Sequence, residues 1–247
     1  MSLFAFQPGY RVLVVGGAGD IGAAISRAFL QAGCEVVATG VNDAALANSM
    51  LQPGQGLTLA ALDVTDDGQI AQFMKEVDRL DALVNCAGIL ARFDEFQLAT
   101  FQRVLDVNLT GTFRMCSACR PLLERAAGQR PGSIVNIASM NAFAALPTIP
   151  AYCASKGGVV MLTKSLALAW ADAGIRVNAV APGYVETSIN AQGRKDAAHY
   201  QRIAARIPQG RWAQPDDIAG SVVYLCSPAA DYMTGSVTTV DGGFLAG

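Results

Sequence analysis

The sequence has little charge, and the charge it has is balanced. Only 15% of its 247 residues are charged, and 18 basic against 20 acidic side chains give a formal net charge of -2. A field this weak does not attract a polyanion, so nucleic acid is not expected as a partner. Histidine is also scarce, since His199 is the single one. No metal site is therefore expected.

Long apolar runs are missing as well. The chain is 52% hydrophobic, but its apolar runs are interrupted every few residues, and none approaches the roughly 20 residues that cross a bilayer. No membrane association is expected. The amino-terminal segment reaches a strand-like run with no basic stretch ahead of an apolar one, so a signal peptide is not indicated. These features predict a cytoplasmic protein.

Six cysteines are too few and too scattered for a disulfide framework in a chain of this length. Cys116 and Cys119 form a C-x-x-C motif, but the chain has no second pair and only one histidine to complete a metal site. We interpret them as small core residues that pack on a helix.

Short apolar runs alternate with stretches of helical periodicity. The runs are apolar throughout, which is typical of strands covered by helices on both faces. Strands and helices that alternate predict a doubly wound parallel sheet, that is, a Rossmann-type α/β fold in a single domain, 1–247. The seven predicted strands are 11–15, 35–39, 57–62, 82–85, 133–139, 176–181 and 236–240. The stretch 184–214 has scattered charge and no strong apolar period, so we expect a substrate loop there.

A glycine-rich turn directly follows the first strand. It reads Gly-Gly-Ala-Gly-Asp-Ile-Gly from position 16 to position 22, and small residues let the backbone turn tightly and approach a pyrophosphate at the start of a helix. A strand before it, a helix after it and a second strand within about 20 residues make the context specific. We therefore predict a dinucleotide site with cofactor contacts from Gly16, Gly19, Asp20, Ile21 and Gly22.

Further cofactor contacts are expected where other strands end. Asp63 and Val64 follow the third strand, and the segment 85–88 follows the fourth, so Asn85, Ala87 and Gly88 are candidates. Asp63 can accept from an adenine amino group, or it can serve a turn.

The choice between NAD and NADP is ambiguous. The end of the second strand, 39–41, carries neither a carboxylate for the ribose nor an arginine for a phosphate. Asp43 lies near, although Asn42 and Asp43 can simply cap the next helix. Asp20 would repel an extra phosphate, which favours NAD with NADP left open.

The catalytic candidates come from three later segments. Tyr152 and Lys156 are four residues apart and share one helix face. A phenol with a pKa near 10 is a poor base at neutral pH unless a cation stabilises the phenolate; Lys156 and a positive nicotinamide ring can do so. Ser139, which ends the fifth strand, would hold the substrate oxygen against Tyr152. Asn108 is expected on a helix beside that strand, and Asn141 can bond a substrate hydroxyl or the loop backbone.

Taken together, these residues resemble the short-chain dehydrogenase/reductase family along essentially the whole chain. The resemblance implies a catalytic tetrad of Asn108, Ser139, Tyr152 and Lys156, with Tyr152 and Lys156 also touching the cofactor. It implies a nicotinamide contact from the segment that contains Pro182, Gly183, Val185 and Thr187, and it implies a homotetramer. Departures are Val15 for a threonine, Cys86 for an asparagine and Asp20 for a glycine, with Gly19 expected to supply the lost backbone freedom.

The expected activity is hydride transfer between nicotinamide and a secondary alcohol or ketone of the sugar, polyol or hydroxy acid type. An alternative is a 3-oxoacyl-(acyl-carrier-protein) reductase, which needs a basic docking surface for which Arg120, Arg125 and Arg130 are candidates. A second alternative is a dinucleotide-binding regulator without catalysis, against which the intact Tyr152 and Lys156 argue.

Overall fold

The computed structural model describes residues 4–125 and 129–247. Residues 1–3 of the amino-terminal segment, for which no signal peptide is expected, therefore lie outside the described residues. Within the described residues the strands form one parallel sheet in the order β3-β2-β1-β4-β5-β6-β7. This confirms the predicted doubly wound fold. The strands are β1 Arg11–Val15, β2 Glu35–Gly40, β3 Leu57–Ala61, β4 Ala82–Asn85, β5 Gly132–Ile137, β6 Ile175–Pro182 and β7 Val237–Val240.

Helices connect the strands, and several begin at residues that favour helix starts. Asn42 and Asp66 accept hydrogen bonds from the first turns of α2 and α3, and prolines occupy the first positions of α6 and α9. The helices are α1 Asp20–Gln31, α2 Asp43–Ala47, α3 Asp67–Lys75, α4 Leu98–Leu105, α5 Gly111–Leu123, α6 Pro150–Trp170, α7 Ala191–Arg194, α8 Ala197–Ala204 and α9 Pro215–Cys226. A π-helical turn, Asp106–Thr110, joins α4 to α5.

Two apolar layers cover the sheet. Val12 and Val14 of β1 pack in the layer formed with α1 and α9, whereas Leu13 packs in the layer formed with α3, α5 and α6. Removing each such side chain from water contributes about 1.5–3 kcal/mol. Cys116 and Cys119 are fully buried in the second layer, as the packing interpretation predicts.

The strand order opens a crevice beside β1. The chain proceeds from β1 outward to β3 and returns to the other side of β1 as β4, so the strand order reverses at this point of the sheet, where open α/β sheets bind ligands. Gly16 has a φ of +76°, and a Cβ there would lie 2.6 Å from the Ala87 nitrogen. Only glycine fits at this position, because the turn after β1 touches the segment after β4.

The segment 184–214 is more ordered than its sequence pattern suggests. It contains α7 and α8 and packs over a small apolar cluster that includes Ile203, Ile207 and Trp212. The Tyr200 ring stacks on Trp212 with 5.3 Å between ring centroids. The segment is therefore a packed cover beside the crevice. Among the described residues no helix is long and apolar enough to span a bilayer.

Candidate active site

A cavity of about 1930 Å³ lies at the carboxyl ends of the strands. Typical small-molecule pockets measure about 300–1,000 Å³, so this one has room for a dinucleotide and a small substrate together. Predicted site residues that line it are Gly16, Gly19, Asp20, Ile21, Gly22, Asp63, Val64, Ala87, Gly88, Ser139, Asn141, Tyr152, Lys156, Pro182, Gly183, Val185 and Thr187. Two others, Asn85 and Asn108, do not line it.

The glycine-rich turn fits a pyrophosphate. No side chain caps the first turn of α1, whose N-cap is Gly19, so the N–H groups at this helix start can receive an anion. The Thr39 hydroxyl accepts from the Gly16 nitrogen at 3.2 Å and thereby supplies a brace that Val15 cannot. Gly19 has a φ of -78°, which any residue adopts. The expectation that Gly19 compensates for Asp20 is therefore wrong.

Asp20 ties the glycine-rich turn to the cover segment. Its Oδ2 accepts from the Ser188 nitrogen at 2.8 Å and from the Ser188 hydroxyl at 2.7 Å. A residue that replaces the family's glycine thus bridges the two walls of the crevice. The Asp20 carboxylate therefore also has a structural role at this edge of the crevice.

The wall expected to hold the adenosine carries hydrogen bonds of its own. Asp63 Oδ1 accepts from both the nitrogen and the hydroxyl of Thr65, at 2.9 and 2.8 Å, so this carboxylate serves a turn while it lines the cavity. Asn42, and not Asp43, caps α2.

Asn85 differs from its prediction. Its Nδ2 donates to Asn136 Oδ1 at 2.9 Å and lies 3.2 Å from Cys116 Sγ. Successive side chains of a strand point to opposite faces, and this last residue of β4 points into the layer that contains α5. Its side chain is therefore in the interior, and the cavity wall begins one residue later, at Cys86.

Ser139, Tyr152 and Lys156 converge on the same part of the cavity. Lys156 Nζ lies 5.7 Å from the centroid of the Tyr152 ring and donates to the Ile137 carbonyl at 2.7 Å. The Ser139 oxygen accepts from the Asn141 nitrogen at 3.1 Å. This bond uses a lone pair of the hydroxyl. The hydroxyl hydrogen can donate to Tyr152, with which Ser139 shares a side-chain hydrogen bond that acts to lower the pKa of the phenol, or to a substrate oxygen. The Asn141 side chain donates to the Ala144 carbonyl, so it satisfies the loop.

Burial changes the proton affinities of both titratable groups. It raises the pKa of Tyr152 to about 12, although a side-chain hydrogen bond with Ser139 acts to lower that pKa. Burial also lowers the pKa of Lys156 to about 8. Without a further positive charge the ammonium would therefore lose its proton before the phenol does. A cationic nicotinamide ring beside Tyr152 would favour the phenolate.

Asn108 is fully buried in the π-helical turn. Its Oδ1 accepts from the Ile89 nitrogen at 2.8 Å, and its Nδ2 donates to the Ile89 carbonyl and to Ser155 Oγ, both at 3.0 Å. It therefore joins α6 to the cavity wall. Such π turns are frequent at functional sites, although Asn108 itself is one layer behind the cavity.

Several residues at the cavity were not predicted from the sequence. Arg92, His199 and Arg206 line the cavity, and Glu95 is fully buried behind it. No local pattern distinguishes Glu95 from its exposed neighbour Asp94, so burial in the folded chain is the only signal that finds it.

The arginines considered as a docking surface have internal partners. Arg120 pairs with Glu124 at 2.8 Å, and Arg125 with Asp81, just before β4, at 3.1 Å. Arg130 donates to the Cys226 carbonyl and lies just before β5. Arg125 and Arg130 therefore lie at the amino end of the sheet, opposite the cavity, and the three do not form a docking surface beside it. Among the described residues no group of three or more His, Cys, Asp or Glu side chains could hold a metal ion.

Comparison with known proteins agrees with this geometry. Residues 16–245 match the family model described as enoyl-(acyl carrier protein) reductase. A 2-dehydro-3-deoxy-D-gluconate 5-dehydrogenase from Bacillus subtilis is 39% identical over 96% of this chain and 95% of its own length. A D-threitol dehydrogenase from Mycolicibacterium smegmatis is 38% identical over 94% of this chain and 91% of its own.

A solved structure is also similar over its whole length. A gluconate 5-dehydrogenase from Burkholderia cenocepacia, in complex with NADP and tartrate, superposes with a TM-score of 0.87 at 33% identity and covers 99% of this chain and 98% of its own. With a parallel sheet, a glycine-rich turn at its crevice and relatives matched over their whole length, the chain belongs to the short-chain dehydrogenase/reductase family of NAD(P)-dependent oxidoreductases.

Proposed function

We propose that the chain interconverts a secondary alcohol and its ketone, with Tyr152 as general acid and base, Lys156 as the cation that favours the phenolate, and Ser139 as the donor that holds the substrate oxygen. The observation that carries the proposal is the convergence of these three side chains on one cavity with the open helix start of α1.

In the oxidation direction the hydroxyl proton of the alcohol passes to the Tyr152 phenolate, and the carbinol C–H bond breaks with its electron pair to leave a ketone. When bound, the oxidised nicotinamide supplies the hydride acceptor. Ser139 fixes the substrate oxygen near the phenol, and such positioning accounts for much of the barrier reduction. In the reduction direction the neutral phenol returns the proton.

The substrate we propose is a polyol or a sugar-derived hydroxy acid. The relatives named above act, by their names, on gluconate derivatives and threitol. Positive charge at the cavity wall suits the acids: burial raises the pKa of Tyr184 while Arg206 and Arg92 act in the opposite direction, so both cations lie near that phenol. A carboxylate there would gain charge-assisted hydrogen bonds.

For the cofactor we propose NADP(H), with NAD(H) as the alternative. The residues that line the cavity at the end of β2 are Thr39, Gly40 and Val41, and none of these three carries a carboxylate that would exclude a 2′-phosphate. The Burkholderia structure holds NADP.

We also propose a homotetramer that works in the cytoplasm, each chain acting as a single domain with 184–214 as its substrate loop. Exposed apolar side chains on α5 and α6, namely Phe113, Met161 and Leu168, support association of these helices between copies. All six cysteines are free, which suits a reducing compartment. Light scattering coupled to size exclusion tests the assembly.

The test is a reduction and oxidation screen that crosses NAD and NADP with polyols, aldonic acids and their keto forms, and with a 3-oxoacyl thioester. We expect turnover of a polyhydroxylated substrate, higher kcat/KM for the acid than for the polyol of the same carbon skeleton, and loss of turnover in Tyr152→Phe. Preference for the thioester would favour the acyl-carrier alternative. Cofactor binding with no turnover of any class would favour the regulator.

A further inference from the structure

Glu95 is the one carboxylate of the cavity region that the described structure buries completely. It lies in the short turn Asp94–Phe96, where Asp94 and Phe96 on either side are exposed, while Glu95 itself has no exposed surface. Burying a carboxylate costs free energy unless hydrogen bonds replace its water. Its partners therefore indicate what this residue does.

The two carboxylate oxygens accept from two different parts of the site. Oε1 accepts from the Ala91 nitrogen at 3.0 Å, and Oε2 accepts from the Tyr152 nitrogen at 2.9 Å. Ala91 belongs to the 89–93 segment, four of whose residues line the cavity. Tyr152 belongs to the first turn of α6. One side chain thus links the cavity wall to the backbone of the proposed general base.

The bond to Tyr152 has a second physical effect. The residue before α6, Ile149, cannot cap the helix, and no side chain bonds from that position. The first N–H groups of a helix need partners from elsewhere, and a negative charge at a helix start is favourable. Glu95 therefore acts as a remote cap that fixes the first turn of α6, where the phenol is attached.

The wall segment is held at other points as well. The Phe93 nitrogen donates to the Thr148 carbonyl at 3.0 Å, and Arg92 Nη1 donates to Thr148 Oγ1 at 2.9 Å. Phe93 has a φ of +72°, which is strained for a bulky residue and persists only where neighbouring contacts determine it. The chain therefore maintains a specific geometry between this wall and α6.

We propose that Glu95 is a positioning residue, which locks the backbone of Tyr152 to the 89–93 wall so that the phenol and the substrate keep a fixed distance. This inference rests on the proposed role of Tyr152. The charge of Glu95 acts against that role: burial is the main reason why the pKa of Tyr152 is raised, and Glu95 adds to the rise. Position and charge are thus separable by substitution.

The test compares Glu95→Ala and Glu95→Gln with the matched control Asp94→Ala. We expect Glu95→Ala to lower kcat about tenfold to hundredfold while the dissociation constant for the cofactor stays unchanged. The control Asp94→Ala should keep the wild-type kcat and the wild-type dissociation constant. Glu95→Gln keeps one acceptor oxygen and removes the charge. Its kcat should fall less, and the pH at which its activity rises should shift to lower values, because the phenolate loses a repelling neighbour.

The outcomes distinguish a role of Glu95 in positioning Tyr152 from a role in the stability of the fold alone. Wild-type kcat and an unshifted pH profile in folded Glu95→Gln would overturn the proposal, and so would a loss of cofactor binding that matches the loss of kcat. If Glu95→Ala does not fold, Glu95→Gln alone decides on these two readouts. Tyr152→Phe is assayed in parallel: full activity there would refute the proposed function itself, whereas an inactive Tyr152→Phe beside wild-type Glu95 variants would refute only this inference.

Discussion

Replacing Lys156 by methionine removes the cation that the proposed function assigns to the Tyr152 base and keeps much of the side-chain volume. Lys156 Nζ lies 5.7 Å from the Tyr152 ring centroid. At an effective dielectric constant of about 20, opposite unit charges at that distance interact by about 3 kcal/mol, which is about two pKa units. The phenol of Lys156→Met should therefore ionise about two pH units higher, and kcat/KM for alcohol oxidation near neutral pH should fall about a hundredfold.

The pKa of Lys156 sets the pH range in which this effect operates. Burial lowers the pKa of Lys156 to about 8, so the ammonium is present below that pH and is lost as the pH rises through it. The difference between wild type and Lys156→Met should therefore be largest below about pH 8 and decrease above it. Cofactor saturation must be verified at each pH, because Lys156 also lines the cofactor cavity.

The assay is steady-state alcohol oxidation from acid to alkaline pH, with Lys164→Met as the control. Lys164 is exposed on the same helix, so its loss tests for a general effect of charge on α6. A variant Lys156→Met that keeps wild-type kcat/KM near neutral pH, or that loses the same factor at every pH, would refute the electrostatic reasoning.

Three further substitutions separate the other parts of the site. Ser139→Ala should lower kcat about a hundredfold by removing one donor to the reacting oxygen while cofactor affinity, measured by fluorescence titration, stays unchanged. Asp20→Gly should speed cofactor release about thirtyfold in stopped-flow experiments, because two hydrogen bonds to Ser188 of about 1 kcal/mol each are lost; an unchanged release rate would mean that this contact does not close the crevice. Asn108→Ala should lower the free energy of unfolding by about 3 kcal/mol in denaturant titrations, since it leaves the Ile89 backbone without its partners.

The sheet could be predicted from the sequence because its strands are covered on both faces. The runs 11–15 and 82–85, which are apolar except for Arg11 and Asn85, match β1 and β4 to the residue, since burial on two sides leaves little choice of residue type. The catalytic candidates were predictable for a similar reason: a phenol and an amine four residues apart share a helix face in any α-helix.

Other features depend on contacts that are distant in the sequence. The helices α7 and α8 span only Ala191–Arg194 and Ala197–Ala204, too short for a clear period. Ile203 of α8 packs in a cluster with Trp212, which lies outside both helices. The Asn85 side chain points into the protein interior, towards Asn136 and Cys116, because of the face of β4 on which it lies. Glu95 is defined by an amide 57 positions away along the chain, which no local pattern contains.

The central claim is that the phenol of Tyr152 ionises near neutral pH when oxidised cofactor is bound. The most direct test is an ultraviolet difference titration of wild type against Tyr152→Phe, with and without saturating cofactor. We predict one additional phenolate in the wild-type complex, with a midpoint that matches the pH at which kcat/KM rises and lies well below the pKa of about 12 in the free protein. A phenol that stays neutral until the pH approaches its ligand-free pKa while the enzyme turns over at neutral pH would contradict the account.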